Sequence, residues 1–509
     1  MTTEIELKLA LPPGQLAHLK HHPLLAQAGP ALRRRLASVY FDTPKLELMQ
    51  AQAALRVRRV GGRWVQTVKI GGGSAGGLHQ RPEWETPVAG AAPEPARFDA
   101  PAVQTLLTPA RLARLRPVFE TQFWRTAWTV PVSGGGSIEV ALDQGFVSGG
   151  GRSQPICEVE LELKSGKPAA LYDLALTLAV DIDLFPDPVS KAQRGYALFQ
   201  NLSLQPVQAA PIGLQPGMQV ADAFVAVMQS GLGQFTANLD GLMHEADPEY
   251  LHQARVALRR LRSALTVFAP ALPDAALTPL SEELHWLMGV LGPARDWDVF
   301  ATQTLPPLLA AKPGSALASL ARDGEARRRE ARAAMATAVT SRRLTRLLLE
   351  AGRMLLRPWE QAKGRSAGQN APAATLAEAV LERRHRQLLR RGRHFAELQI
   401  AARHRLRIAA KKQRYAAEFF AELYPPKTVR AYIKTLAALQ DGLGALNDMA
   451  VTGRLLDALR GSRAAHRAWA CGLVQGWVES RAQARIAELE PAWRRMKTAR
   501  PFWRKPIRN

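Results

Sequence analysis

The stretch Cys157–Lys164 reads CEVELELK, and its alternation decides the fold of the first part of the chain. With a period of two, Glu158, Glu160, Glu162 and Lys164 project to one side of a strand and Val159, Leu161 and Leu163 to the other. A solvated strand face usually mixes Thr, Ser, Gln and Lys, so three consecutive carboxylates need another reason. Working outward, the same charged alternation recurs. Glu4, Glu6 and Lys8 share a face in EIELK, Arg56 and Arg58 in ALRVRR, and Arg81, Glu83 and Glu85 in RPEWET. Lys69 ends WVQTVK and Arg125 sits in FWRTAW. Acidic and basic strands are thus segregated. Carboxylates at i and i+2 from two strands can converge on a hard divalent cation such as Mg²⁺ or Mn²⁺. Arginines and lysines facing them across an enclosed space would hold phosphate oxygens. A closed antiparallel barrel with a polar interior lets such strands face one another.

The rest of the chain differs in texture. Its 509 residues predict about two to four domains. At 47% hydrophobic residues it can bury real cores. Cys157 and Cys471 are too far apart in sequence for a zinc cluster or disulfide scaffold and suit a reducing, cytoplasmic compartment. MTTEIELKLAL is no signal peptide, and no run of about eighteen apolar residues predicts a membrane span. The glycine-rich GGGSAGG (71–77) lacks the GK[ST] ending of a phosphate-binding P-loop. The net charge is +24, and it is unevenly placed. Residues 1–203 hold 22 Lys+Arg against 18 Asp+Glu, whereas the remainder holds 46 against 26. A Pro/Gln/Gly stretch at 205–219 reads as a linker between a β-rich part and an Ala/Leu/Arg-rich helical part. A second such stretch, QAKGRSAGQNAPA (361–373), divides the helical part in two.

Eight segments of the first part, in order, resemble the CYTH domain of the triphosphate tunnel metalloenzymes. They are EIELK, YFDTP (40–44), ALRVRR (54–59), WVQTVK (64–69), HQRPEWE (79–85), ALDQG (141–145), ICEVELELKSG (156–166) and SKAQRGY (190–196). The resemblance covers residues 1–203 and implies an eight-stranded antiparallel β tunnel that binds a linear triphosphate. It implies a metal shell of Glu4, Glu6, Glu158 and Glu160, with Asp143 and Glu162 as further members, and Mg²⁺ or Mn²⁺ as the cofactor. Lys8, Arg56, Arg58, Lys69, Arg81, Arg125, Lys191 and Arg194 would cradle phosphates, Glu83 would orient a basic neighbour, and Lys8, Glu4 and Glu6 would be catalytic.

The second part repeats itself. HQARVALRRLRSAL from His252 aligns with HRLRIAAKKQRYAA from His404, and LMGVLGPARDWDV (287–299) aligns with LQDGLGALNDMAV (439–451) at the same offset of 152. His252, Arg255, Arg259 and Arg262 stack on one helical stripe, while Leu258, Leu261, Leu265 and Phe268 turn inward. Asp247-Pro248 supplies an N-cap and first-turn proline. A basic stripe is ordinarily a solvated face; two copies that keep a histidine and four cationic positions favour anion binding. These features resemble the CHAD (conserved histidine α-helical) domain over residues 218–509, after a linker at 204–217. It implies an all-α duplicated helical bundle with halves at about 218–360 and 374–509. Inorganic polyphosphate would bind His252, Arg255, Arg259, Arg260, Arg262, His404, Arg407, Lys411, Lys412 and Arg414, with association to polyphosphate granules. Asp296 and Asp448 would orient those cations.

The expected protein is therefore an α+β multidomain, metal-dependent inorganic triphosphatase joined to a polyphosphate-binding module. Adenylate cyclase, another organic triphosphatase or a non-catalytic polyphosphate adaptor are the alternatives. Nucleic acid is disfavoured as a partner, because the basic helices lack regularly interleaved aromatics for base stacking.

Overall fold

The computed structural model of the protein describes residues 2–71, 74–75, 77–272, 274–356, 366–459 and 465–504. Positions 72, 73 and 76 of the glycine-rich insert, and 361–365 of the second Gly/Pro-rich stretch, lie outside the described residues. The chain forms two compact units, Met1–Pro206 with Thr340–Glu360, and Val207–Val339 with Gln361–Asn509.

The first unit is built on eight strands: β1 (Thr2–Ala10), β2 (Leu32–Asp42), β3 (Ala53–Val60), β4 (Arg63–Ile70), β5 (Leu78–Val88), β6 (Arg116–Val132), β7 (Gly136–Gly149) and β8 (Arg152–Ser165). They pair antiparallel in the order β1-β8-β7-β6-β2-β3-β4-β5, and β5 returns to β1, so the sheet closes. The register brings the charged positions to one side. Lys8 lies opposite Glu160, Glu6 opposite Glu162, Arg125 opposite Asp143, and Glu4 opposite Arg81. Directly paired residues point to the same face, so one charged interior follows from the pleat alone. The alternate residues, including Leu7, Leu9, Val140, Leu142, Val159 and Leu161, are buried on the outer side.

The two longest helices of Met1–Pro206 and one borrowed element flank the barrel. The outer core packs on α1 (Ala169–Leu178). Helix α2 (Lys191–Gln200) starts at a capping box made by Ser190 and Gln193, which fixes Lys191 and Arg194 in its first turn. Gly195 lets that helix approach the barrel, because a Cβ there would lie 2.1 Å from the Phe119 ring. A later helix, Arg342–Leu356, packs against α1 although it comes from the helical sequence. Its Leu349 joins the Tyr172 and Leu178 core, Thr345 donates to the Leu184 carbonyl at 2.5 Å, and Arg353 pairs with Asp173 at 2.6 Å.

The second unit is helical. Its main elements, with the borrowed helix counted as α7, are α3 (Val220–Ala237), α4 (Pro248–Phe268), α5 (Asp274–Val299), α6 (Ser315–Val339), α8 (Ala373–Arg391), α9 (Ile400–Phe419), α10 (Pro426–Leu459), α11 (Ala465–Ala487) and α12 (Leu489–Thr498). Helices α9 and α10 begin 152 residues after α4 and α5, so the sequence repeat is a structural one. Asp247 caps α4 by accepting from the Glu249 amide at 2.8 Å, and Leu258, Leu261, Leu265 and Phe268 are buried. Among the described residues no helix is long and apolar enough to cross a membrane.

Candidate functional site

The barrel encloses a cavity of about 340 Å³. Its wall includes Glu4, Glu6, Arg56, Arg58, Lys69, Arg81, Arg125, Glu160 and Lys191, from six strands and the first turn of α2. Nine of the anticipated site residues thus share one space. Four more stand behind this wall. Lys8, 1% exposed, pairs with Glu158 at 3.1 Å and Asp187 at 3.3 Å and donates to the Val189 carbonyl. Asp143 accepts from Arg125 at 2.7 and 2.8 Å, and Arg194 pairs with Glu158. Glu162 is not part of the wall; Lys164 takes it up at 2.7 Å.

The oxygens of Asp143, Glu158 and Glu160 gather within 4.8 Å of one another. Lys191 sits against all three, at 2.6, 2.5 and 2.8 Å. Burial opposes the Glu158 charge, but Lys191, Lys8 and Arg194 outweigh it and hold that carboxyl down at about 2. The same carboxylates push the Lys191 ammonium well above its ordinary range. This trio is therefore already compensated by protein cations.

Glu6 is not. Among the described residues it has no ion-pair partner, and burial, reinforced by the charges of Glu160 and Glu4, pushes its carboxyl up to about 8. Glu4, in contrast, is paired with Lys69. Glu6 thus holds its proton beside Glu4 and Glu160, and a cation arriving there would release that proton. The convergent oxygens of Asp143, Glu158 and Glu160, with Glu6 and Glu4 beside Glu160, make an all-oxygen donor set that fits a hard divalent cation.

The cations show the complementary pattern. Glu83 accepts from Arg56 at 3.4 Å and lies 3.5 Å from Lys69, which places it as their orienting carboxylate. Among the described residues Arg58 has no ion-paired carboxylate; it donates to the Ser38 hydroxyl at 3.0 Å. Burial and the neighbouring Arg56 and Arg125 weaken its hold on the proton, to about 10. A guanidinium does not give up its proton at neutral pH, so the shift measures a cation short of an anion. Sequence reasoning assigned nothing to Tyr40, His79 or Asp187. Tyr40 lines the cavity and hydrogen-bonds Arg56; the His79 ring contacts Arg81. Tyr40 lies opposite Arg56 and His79 has the parity of Arg81, so alternation could have found both, but no residue type announced Asp187. In YFDTP, Asp42 is structural, accepting from the Leu48 and Met49 amides at 3.0 Å each.

The helical unit brings cations together without such acids. Burial, together with Arg407 of α9 and Arg259 and Arg255 of α4, pulls the Lys411 ammonium of α9 down to about 7. Arg255 Nη1, Arg259 Nε and Arg407 Nε are buried with no hydrogen-bond partner. His252 lies in the same field and is held below its ordinary range by burial and by Arg295, which sequence reasoning did not single out. Asp296 and Asp448 lie near Arg255 and Arg407 respectively, as the repeat predicted.

Not every anticipated residue joins this cluster. Arg260 is 5% exposed and turns inward, donating to Gln234 at 2.8 Å. Its repeat partner Lys412 is exposed on another side of α9. Arg414 is tied to Glu418 at 2.6 Å, whereas Arg262 and His404 are exposed.

Comparison with known proteins agrees with both units. The CYTH domain model matches residues 2–196 and the CHAD domain model residues 226–457. An inorganic triphosphatase of Haemophilus influenzae is 34% identical over 210 residues, which cover 39% of this chain and 55% of that protein. The chain thus matches little more than half the length of this curated relative. The crystal structure of a CHAD domain from Ricinus communis is 35% identical, with a TM-score of 0.51, covering 58% of this chain and 98% of that one.

Proposed function

The chain belongs to the CYTH and CHAD families, and from that premise and the tunnel's charge pattern we propose that it hydrolyses inorganic triphosphate to pyrophosphate and phosphate, and binds inorganic polyphosphate on its helical unit. The observation that carries the first half is the cavity itself: one space within the barrel in which, among the described residues, Glu6 has no ion-paired cation and Arg58 no ion-paired anion. A metal-bound linear phosphate supplies both.

In this reading Glu4, Glu6 and Glu160 hold the Mg²⁺ or Mn²⁺, with Asp143 and Glu158 in support. The ion supplies positive charge at the phosphate oxygens and an acidified water. The chain's own residues do the rest. Arg58, Arg56 and Arg81 bind and align the phosphates, and Lys69 and Arg125 exchange their carboxylates for phosphate oxygens as substrate enters. Lys191, fixed by the capping box, stabilises charge on the transferring phosphoryl or the departing pyrophosphate. Lys8 positions Glu158 from behind the wall. No side-chain nucleophile is required.

For the helical unit, the unpartnered guanidinium nitrogens of Arg255, Arg259 and Arg407 favour a polyanion. We place this activity in the cytoplasm, at polyphosphate granules where these occur.

The test is incubation with Mg²⁺ or Mn²⁺ and tripolyphosphate, ATP or long-chain polyphosphate, following phosphate, pyrophosphate and cyclic AMP. Phosphate and pyrophosphate from tripolyphosphate are expected, with kcat lowered about 10³-fold in Glu160→Gln. Cyclic AMP from ATP would turn the reading to a cyclase, and no turnover to an adaptor. Arg255→Ala/Arg407→Ala should weaken polyphosphate binding and reduce its salt slope by about two, leaving turnover intact.

A further inference from the structure

The helical unit carries a second concentration of positive charge, apart from the paired histidine helices. A groove of about 1470 Å³ is walled by α8, α9, α12 and the turn after α8, with Arg383, Arg384, Arg390, Arg393, Lys412 and Lys497 along it. Among the described residues none of these six has a carboxylate partner. The bordering acids are largely committed. Glu382 accepts from Arg386 and Arg504, each at 2.8 Å, and Glu490 pairs with Arg494 at 2.6 Å. Arg384 is the most confined, 6% exposed, with its guanidinium donating to the Lys412 carbonyl at 2.6 Å. The other five are exposed, and like charges gathered on one groove raise a positive potential that attracts a polyanion.

The duplication shows that the fold does not need these cations. At the positions 152 earlier, Arg383, Arg384, Arg390 and Arg393 become Gly231, Leu232, Asn238 and Gly241. The first copy builds the corresponding helix, α3, without them. The exposed arginines of the second copy, Arg383, Arg390 and Arg393, are therefore not needed to form the helix.

We propose that this groove is a second seat for inorganic polyphosphate, separate from the cluster of Arg255, Arg259, Arg407 and Lys411, and filled only by chains long enough to reach both. It rests on the polyphosphate reading above. Helix α9 links the two places, since Arg407 and Lys411 serve the first cluster while Lys412 enters the groove. A long chain seated on one side meets the other as an intramolecular partner and gains affinity by effective concentration. A uniform phosphate chain is favoured over RNA because the wall's aromatic rings are occupied. Trp493 and Phe395 are buried and stacked on each other, with centroids 5.5 Å apart and planes 10° apart, leaving no face for a base.

The experiment uses the full chain in EDTA, with binding of long-chain polyphosphate and of a short oligophosphate compared by titration. In Arg383→Ala/Arg390→Ala/Arg393→Ala, three exposed positions, long-chain affinity should fall about 100-fold toward the short-chain value. Short-chain affinity, melting temperature and triphosphatase turnover should not change. Unaltered long-chain binding in this variant overturns the groove while the histidine-helix reading stands. If the parent binds neither length, the polyphosphate reading itself falls. Single-stranded RNA that competes at the groove with equal affinity and the same arginine dependence would overturn the choice of ligand.

Discussion

The tunnel and the helical faces use the same cationic side chains in opposite electrostatic settings. In the tunnel six of the eight anticipated cations have a carboxylate partner, Arg58 and Arg81 being the exceptions among the described residues, and Lys191 alone has three within 2.8 Å. On the helical face Lys411 looks at Arg407, Arg259 and Arg255, with Asp448 as the acid that acts on it. A tunnel of exchangeable ion pairs is pre-organised, its cations held in place until phosphate oxygens replace the carboxylates. A face of opposed cations stores no such order, but it attracts any polyanion and does so with strong salt dependence. The first arrangement suits chemistry on a short substrate, the second retention of a long one.

That contrast can be broken at three points. Leu349→Ala is expected to have the largest effect, about 3 kcal/mol, because it opens a hole in the tunnel unit's outer core. In a thermal melt only the transition of the tunnel unit should move down; equal loss in both transitions would mean that the helix stabilises both units alike. Arg58→Ala should raise KM for tripolyphosphate about 30-fold with a smaller change in kcat, since it removes one charge-assisted contact. An unchanged KM would show that the unsatisfied guanidinium is not awaiting phosphate. The smallest effect concerns pH. With Lys411 titrating at about 7 in the free protein, folded protein binds fewer protons there than the unfolded chain, and the lysine is charged only at lower pH. Polyphosphate affinity should therefore drop about threefold between pH 6 and pH 8, with proton uptake on binding above pH 7. Lys411→Arg should flatten that dependence, and a slope that survives the substitution would assign it elsewhere.

Much of the tunnel was legible because a strand's period of two is rigid. Once Glu158 and Glu160 face inward, Val159 and Leu161 cannot, and the same holds for Glu4, Glu6, Arg56 and Arg58. What alternation could not rank was depth. Lys8 follows Glu4 and Glu6 on the same face, yet it lies behind the cavity wall, locked to Glu158 and Asp187. On the helices the limits were angular. Arg259 and Arg260 are neighbours in sequence but about 100° apart around the axis, so one reaches the cationic cluster and the other the bundle interior. The repeat predicted equivalence of Arg260 and Lys412; different neighbours in each copy broke it.

The sequence by itself determined the two architectures, the inward charges of the barrel and the duplication of the helical part, because these depend on local periodicity and self-similarity. Only the tertiary structure decided which charges are compensated. Glu6 and Arg58 stand out from their paired neighbours through distances across a closed barrel. Leu349 joined a core whose other buried members all come from residues 7–184. Electrostatic free energy depends on separation and burial, and neither is written in residue order.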